Sequence, residues 1–239
     1  MNRMCAALLV GCGVLQCAEL TIEAAQVRWE SERMELSGGV TLTYENARLE
    51  APQATVVWRS ESEQLVDLDG GVQCLLADGT LLQCQTAHLD TASGVGNCVG
   101  SAEAPVRLKR GNDLAMALQL DFQCTQWQLT HAVLREQVHL VQQQQGQEQQ
   151  GQEQQGQPLY FTADTAIMDP AAGTLVLESR EPYQVLAWGG AQQLQLRASR
   201  LRAIQVEGAE PRIEADGSVL LSLSESQIES LVQPFQELS

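Results

Sequence analysis

The side chains able to do acid, base or nucleophilic chemistry are scattered along this chain. Three histidines, His88, His131 and His139, have no Ser, Cys or Asp at a spacing that would build a proton relay. No phosphate-binding loop, Gly-x-Ser-x-Gly elbow, His-Glu-x-x-His pair or dinucleotide fingerprint occurs. The 30 acidic residues single out no carboxylate pair. Of the seven cysteines, Cys5, Cys12 and Cys17 lie in the N-terminal segment. Cys74, Cys84, Cys98 and Cys124 remain, an even number that allows one or two disulfides in an exported chain. Cys74 and Cys84 also occupy apolar positions of strand-like segments, where small buried thiols fit equally. Without Cys-x-x-Cys or a histidine at ligand spacing, neither a metal nor another cofactor is expected. The reading is of a protein that is not an enzyme.

Charge narrows the partners. Fourteen basic against 30 acidic residues give −16, which repels a phosphate backbone, and the arginines form no stripe. No nucleic-acid partner is expected. Met1-Asn2-Arg3 followed by the uncharged run Met4–Leu15 and the small residues before Glu19 reads as an export signal over 1–18, cleaved after Ala18. The run is shorter than the roughly 20 apolar residues that span a bilayer. Leu9-Val10-Gly11-Cys12 also resembles a lipobox, so lipidation at Cys12 and a membrane-anchored form stand beside simple export to the periplasm.

The elements that would position any site are strands. Apolar residues recur at every second position in Leu20-Ile22, Val40-Leu42-Tyr44, Val72-Cys74-Leu76, Leu118-Leu120-Phe122, Leu175-Leu177 and Leu194-Leu196. Gly38-Gly39, Asp69-Gly70, Asp78-Gly79, Gly189-Gly190 and Asp216-Gly217 punctuate them as turns. The spacing predicts an all-β, antiparallel sandwich or barrel. A longer unit also repeats, about every thirty residues and two strands at a time. It opens on apolar-x-Ala-x-x-apolar (Ile22-Glu-Ala24, Leu49-Glu-Ala51, Leu82-Gln-Cys84, Phe161-Thr-Ala163, Leu196-Arg-Ala198). It continues with Gly before Val, as in Leu36-Ser-Gly-Gly-Val40 and Leu68-Asp-Gly-Gly-Val72. Residues 142–157 interrupt it with glutamine, glycine and glutamate and nothing apolar, and are expected to be a disordered loop between two parts, 19–141 and 158–223. In the tail, 224–239, Ile228, Leu231, Val232 and Phe235 take helical spacing behind a Ser226–Glu229 capping box, predicting a short helix or a frayed end.

This repeat resembles the OstA-like domain of periplasmic lipopolysaccharide-transport proteins, the family of LptA, LptC and the N-terminal part of LptD. Ile22-Glu-Ala24-Ala25-Gln-Val27 with Glu35-Leu36-Ser-Gly-Gly-Val40-Thr-Leu42 is one copy, and Phe161-Thr-Ala163-Asp164-Thr-Ala166 with Gly173-Thr-Leu175-Val-Leu177 another. The family's aromatic after the Ala survives at Trp29 and is mostly replaced later. The resemblance implies a V-shaped β-jellyroll that passes lipopolysaccharide, held by its lipid A chains, from the inner to the outer membrane. It also implies edge-to-edge strand pairing with other OstA-like proteins or in a homo-oligomer. The residues expected to face the lipid are Ile22, Ala24, Leu36, Val40, Leu42, Leu49, Leu118, Leu120, Phe161, Leu175, Leu177, Leu196 and Leu221. Arg107, Lys109 and Arg110, with Arg197, Arg200 and Arg202, are either a cationic rim for phosphates or a solvated face. The rival reading is a scaffold of the same fold whose interior is filled by its own side chains.

Overall fold

The computed structural model describes residues 20–60, 63–142, 158–189, 194–204 and 212–222. The export segment, the lipobox Cys12, the glutamine-rich stretch beyond Gln142 and the tail expected to be helical lie outside them. Among the described residues the chain is all-β, without a helix, and every pairing is antiparallel.

The sheet is a meander of bent rungs. Six strands run the whole length of a rung: β3 (Arg33–Tyr44), β4 (Ala47–Trp58), β5 (Gln64–Leu75), β6 (Leu81–Asp90), β11 (Gln128–Gln142) and β12 (Leu159–Asp169). Six further rungs are each broken into two strands. These are β1 (Leu20–Glu23) with β2 (Gln26–Glu30), β7 (Val95–Val99) with β8 (Val106–Arg110), and β9 (Asp113–Ala117) with β10 (Gln119–Thr125). Then follow β13 (Thr174–Glu178) with β14 (Val185–Gly189), β15 (Leu194–Ala198) with β16 (Arg200–Ile204), and β17 (Arg212–Asp216) with β18 (Leu220–Ser222). The bend in every rung falls at one corner and divides the sheet into two arms. Arm A runs β2-β3-β4-β5-β6-β7-β10-β11-β12-β13-β16-β17, and arm B runs β1-β3-β4-β5-β6-β8-β9-β11-β12-β14-β15-β18. Both arms pack on one hydrophobic core. This is the expected antiparallel β-jellyroll of repeated strand pairs.

The sequence repeat is the corner. In rungs running from arm B to arm A, two residues separate the last inward side chain of one arm from the first of the next. Ala51 and Ala54, Cys84 and Ala87, Ala117 and Leu120, Ala163 and Ala166, and Ala198 and Leu201 are such pairs, all buried. In the return direction three residues intervene, as between Leu36 and Val40, Leu68 and Val72, and Leu134 and Val138. The extra residue is a bulge, where the register slips between Ser37 and Val40, between Asp69 and Val72, and between Arg135 and Val138. Across the hairpin, the Val of one direction meets the small residue of the other: Val40↔Ala51, Val72↔Cys84, Val106↔Ala117, Val138↔Ala163 and Val185↔Ala198. A β-branched side chain opposite a small one lets the corner close without a void. Gly38 shows why glycine sits there: its φ is +80°, and a Cβ would stand 2.7 Å from that of Ala25.

Candidate functional site

The interior between the arms is built from ladders of paired positions. In arm B one ladder reads Ile22, Leu42, Leu49, Cys74, Leu82, Leu108, Ala115, Leu140, Phe161, Ala187, Leu196, Leu221 from first rung to last. In arm A the matching ladder reads Val27, Leu36, Ala54, Leu68, Ala87, Cys98, Leu120, Leu134, Ala166, Leu177, Leu201, Ala215. Both are apolar throughout, because period-two alternation keeps one face of every strand toward the core.

Of the residues expected inside, Leu36, Val40, Leu42, Leu49, Leu120, Phe161, Leu177 and Leu196 belong to the buried core, and Ile22, Ala24 and Leu175 pack against it partly buried. Leu118 is different. It lies in the break between β9 and β10, half-buried at the corner, where its N–H donates to the Glu136 carbonyl and its own carbonyl accepts from Gly100. The step of two intervening residues there turns Met116 outward, so unbroken alternation through 116–122 does not hold. Leu221 is in register with Leu196 but 48% exposed, because no rung lies beyond it among the described residues.

The interior is filled in the middle and open at the ends. Tyr44 at the tip of arm B stacks on Trp127, in the β10–β11 hairpin at the tip of arm A, with centroids 4.5 Å apart. The Ala77 N–H donates to the Trp127 carbonyl at 2.9 Å. These contacts clasp the arm tips together. Beneath them Leu49, Leu68, Cys74, Leu89, Phe122 and Cys124 leave almost no space. The clasp encloses unpartnered polar atoms, since the Tyr44 hydroxyl, Thr80 Oγ1 and Asp78 Oδ2 are buried without hydrogen bonds. At the ends, inward residues meet solvent. Val27 and Trp29 on β2 are 56% and 52% exposed, and Trp29 stacks on Trp58 at 5.3 Å. Ile213 and Leu221 are exposed on the last rung.

The four cysteines come from consecutive rungs in the filled middle and are free, buried thiols. Of the two readings of these cysteines, disulfides or small buried thiols, the structure shows the second: the sulfurs fill apolar positions as small hydrophobic groups. Burial pushes the Cys74 thiol up, with the neighbouring Cys84 and Cys124 adding to it. Cys98 is raised first by its hydrogen bond with Cys84 and then by burial. Cys124 is pushed up to about 12, by burial and by Asp78. Thiols held protonated in this way are poor nucleophiles.

Polar chemistry lies on the outer faces. His88 Nδ1 stands 2.6 Å from Asp67 Oδ1, its cross-strand partner on arm A. A shallow depression of about 680 Å³ with a mixed lining lies beside them, bordered by Val27, Glu35, Leu36, Gln53, Thr55 and Asp69 among others. Among the described residues no group of three or more His, Cys, Asp or Glu is arranged to hold a metal ion. Of the two readings of the basic groups, rim or solvated face, the second fits their placement: they lie on outer faces, with Arg110 exposed at the end of β8. Arg200 and Arg202 pair with Glu178 and Glu214 on arm A, while Arg107, Lys109 and Arg197 point outward on arm B. Sequence reasoning missed the Trp127 clasp. A single tryptophan in a two-residue turn carries no periodic signal.

No family model matches the chain, and no curated protein matches it. Among solved structures it is similar to LptH from Pseudomonas aeruginosa, described as the LptA-homologous periplasmic component of the lipopolysaccharide transport device. The identity is 12%, the match covers 61% of this chain and 94% of that one, and the TM-score is 0.43.

Proposed function

We propose that the chain is a passive, non-enzymatic segment of a lipopolysaccharide-transport bridge in the periplasm, holding acyl chains along its interior. The observation that carries this reading is the pair of continuous apolar ladders, which end on exposed inward side chains at both the first and the last rung. Burying an acyl chain is worth about 0.8 kcal/mol per methylene, so affinity of this kind comes from length of apolar surface and from no single contact. Lipid would enter at the end rungs, past Trp29 and Trp58 on one side and Ile213 and Leu221 on the other. The same edges have no further strand among the described residues, and their backbone groups suit strand addition by a neighbouring protein.

One observation favours the scaffold reading, in which the fold joins partners by its edges and carries no lipid. The middle of the interior is filled, and the Tyr44–Trp127 clasp closes it. Measuring lipopolysaccharide binding to the purified chain separates the two. A carrier loses roughly tenfold or more in affinity with Trp29→Asp and with Leu221→Asp, since each puts a charge in an apolar path. A scaffold shows no binding in either form.

A further inference from the structure

The two arms differ sharply in the charge of their outer faces. Of the eight arginine–carboxylate ion pairs among the described residues, seven lie on arm A, including Arg33–Glu35, Arg135–Asp121 and Arg200–Glu178. Arg48–Glu50 is the one on arm B. Beyond β4 the outer face of arm B changes character. From the arm-B half of β5 (Val72–Leu75) through β15, alternation with the buried partners fixes the outward positions, and none of them is Asp or Glu. In a chain of net charge −16 with 30 acidic residues, eight adjacent strands without an outward carboxylate are a clear segregation of charge.

That face carries Arg107, Lys109 and Arg197, none of which makes an ion pair among the described residues. It also carries large apolar groups in the open. Leu75 is 44% exposed, and Tyr160 and Trp188, register partners on β12 and β14, stack at 5.6 Å while 37% and 39% exposed. Adjacent strands lie about 4.8 Å apart, so the patch is roughly 34 Å wide. A solvated face has no physical need of an exposed Tyr–Trp pair on the same surface as cations that have no ion pair among the described residues.

We infer that the outer face of arm B, from β5 to β15, docks on an anionic phospholipid surface. Tyrosine and tryptophan have an apolar body and a polar tip, and they partition to the headgroup level of a bilayer. Arg107, Lys109 and Arg197 meet the lipid phosphates beside them. The overall charge of −16 does not oppose this. Charges more than about 8 Å from the surface are screened at physiological salt. The acid-rich face of arm A lies on the other side of two sheets packed about 10 Å apart. The asymmetry therefore orients the molecule, arm B down and arm A away. An acidic protein segment would satisfy the three cations but leave Leu75, Tyr160 and Trp188 in water, which is why a lipid surface is the better fit.

This inference is independent of whether the interior holds lipid, and its test uses phospholipid alone. The full chain is floated with vesicles of phosphatidylcholine containing about one third phosphatidylglycerol, and with phosphatidylcholine only. All forms keep the same N-terminal segment, so the apolar run Met4–Leu15 contributes equally. Binding is expected to the anionic vesicles and to weaken with added salt. Each cation removed costs about fivefold, so R107Q, K109Q and R197Q together reduce partitioning about a hundredfold. W188S reduces it severalfold. The arm A control R33Q, R135Q, R202Q leaves it unchanged, and circular dichroism confirms that each variant folds. No binding of the native chain, or equal loss from the arm A and arm B triplets, overturns the inference. So does selective capture of an acidic polypeptide without any vesicle binding.

Discussion

At the scale of single residues, the corner is where backbone geometry is most demanding. Gly38 and Gly39 sit at φ +80° and +86°, and Gly70 and Gly71 at +91° and +102°. The equivalent bulge in β11 is made instead by Glu136 and Gln137, at φ +64° and +54°. Side chains with a Cβ are held there at a cost of about 1 kcal/mol each. Gln137→Gly should therefore raise stability by about 1 kcal/mol, whereas Gly38→Ala should lower it by 1 kcal/mol or more. The second figure includes the close approach to Ala25, and urea unfolding of the two variants measures both. A loss from Gln137→Gly would show that its side chain stabilises the bulge. The buried thiols give a pH dependence. An unfolded cysteine ionises near 9 and Cys124 in the fold near 12, so the folded state keeps a proton that the unfolded state releases. Its contribution is complete below pH 9 and is lost as the pH rises toward 12. The urea midpoint should fall across that interval, and less steeply in Cys124→Ala. A flat midpoint to pH 11 would contradict it.

At the scale of elements, the strands and their period were legible because one buried face imposes alternation on every rung. The unit Ala-x-x-apolar was legible as a repeat, but its meaning was not. Counting alone does not reveal that two intervening residues carry the chain round a corner while three carry it back. For that reason simple alternation puts Leu118 inside, whereas it lies half-buried at the bend and Met116 lies outward. Compartment and parity allow a disulfide, and packing favours the buried thiols: all four sulfurs lie in the apolar core. The clasp between Tyr44 and Trp127 is a contact between arm tips more than eighty residues apart in the chain, which no local pattern encodes. The glutamine-rich stretch has a testable consequence. Its flanks, Gln142 and Leu159, are already register partners. Shortening 143–157 to a four-residue turn should stabilise the fold by about 1 kcal/mol through reduced loop-closure entropy. Thermal unfolding of the shortened chain measures this, and a marked loss of stability would mean that the stretch packs on the sheet.

At the scale of the whole molecule, the architecture separates three tasks. The middle rungs are a packed core, which holds the two arms in one body. Among the described residues the end rungs expose inward apolar side chains and unpaired strand edges, which suits continuation of the interior into a neighbour. The outer faces divide charge, with ion pairs on arm A and a cationic, aromatic surface on arm B. The filled middle also bears on how the interior can be probed. Leu42 and Leu120 are wholly buried, so a reporter there would disturb packing before it met lipid. Trp29 and Leu221 face inward and remain accessible. The measurement that tests the central claim most directly is photocrosslinking in cells, with a probe at Trp29 or Leu221 and a control at the outward neighbours Arg28 and Leu220. The account predicts lipopolysaccharide adducts from the two inward positions and not from the outward ones. Adducts to protein only, or lipopolysaccharide adducts equal from both faces, would contradict it.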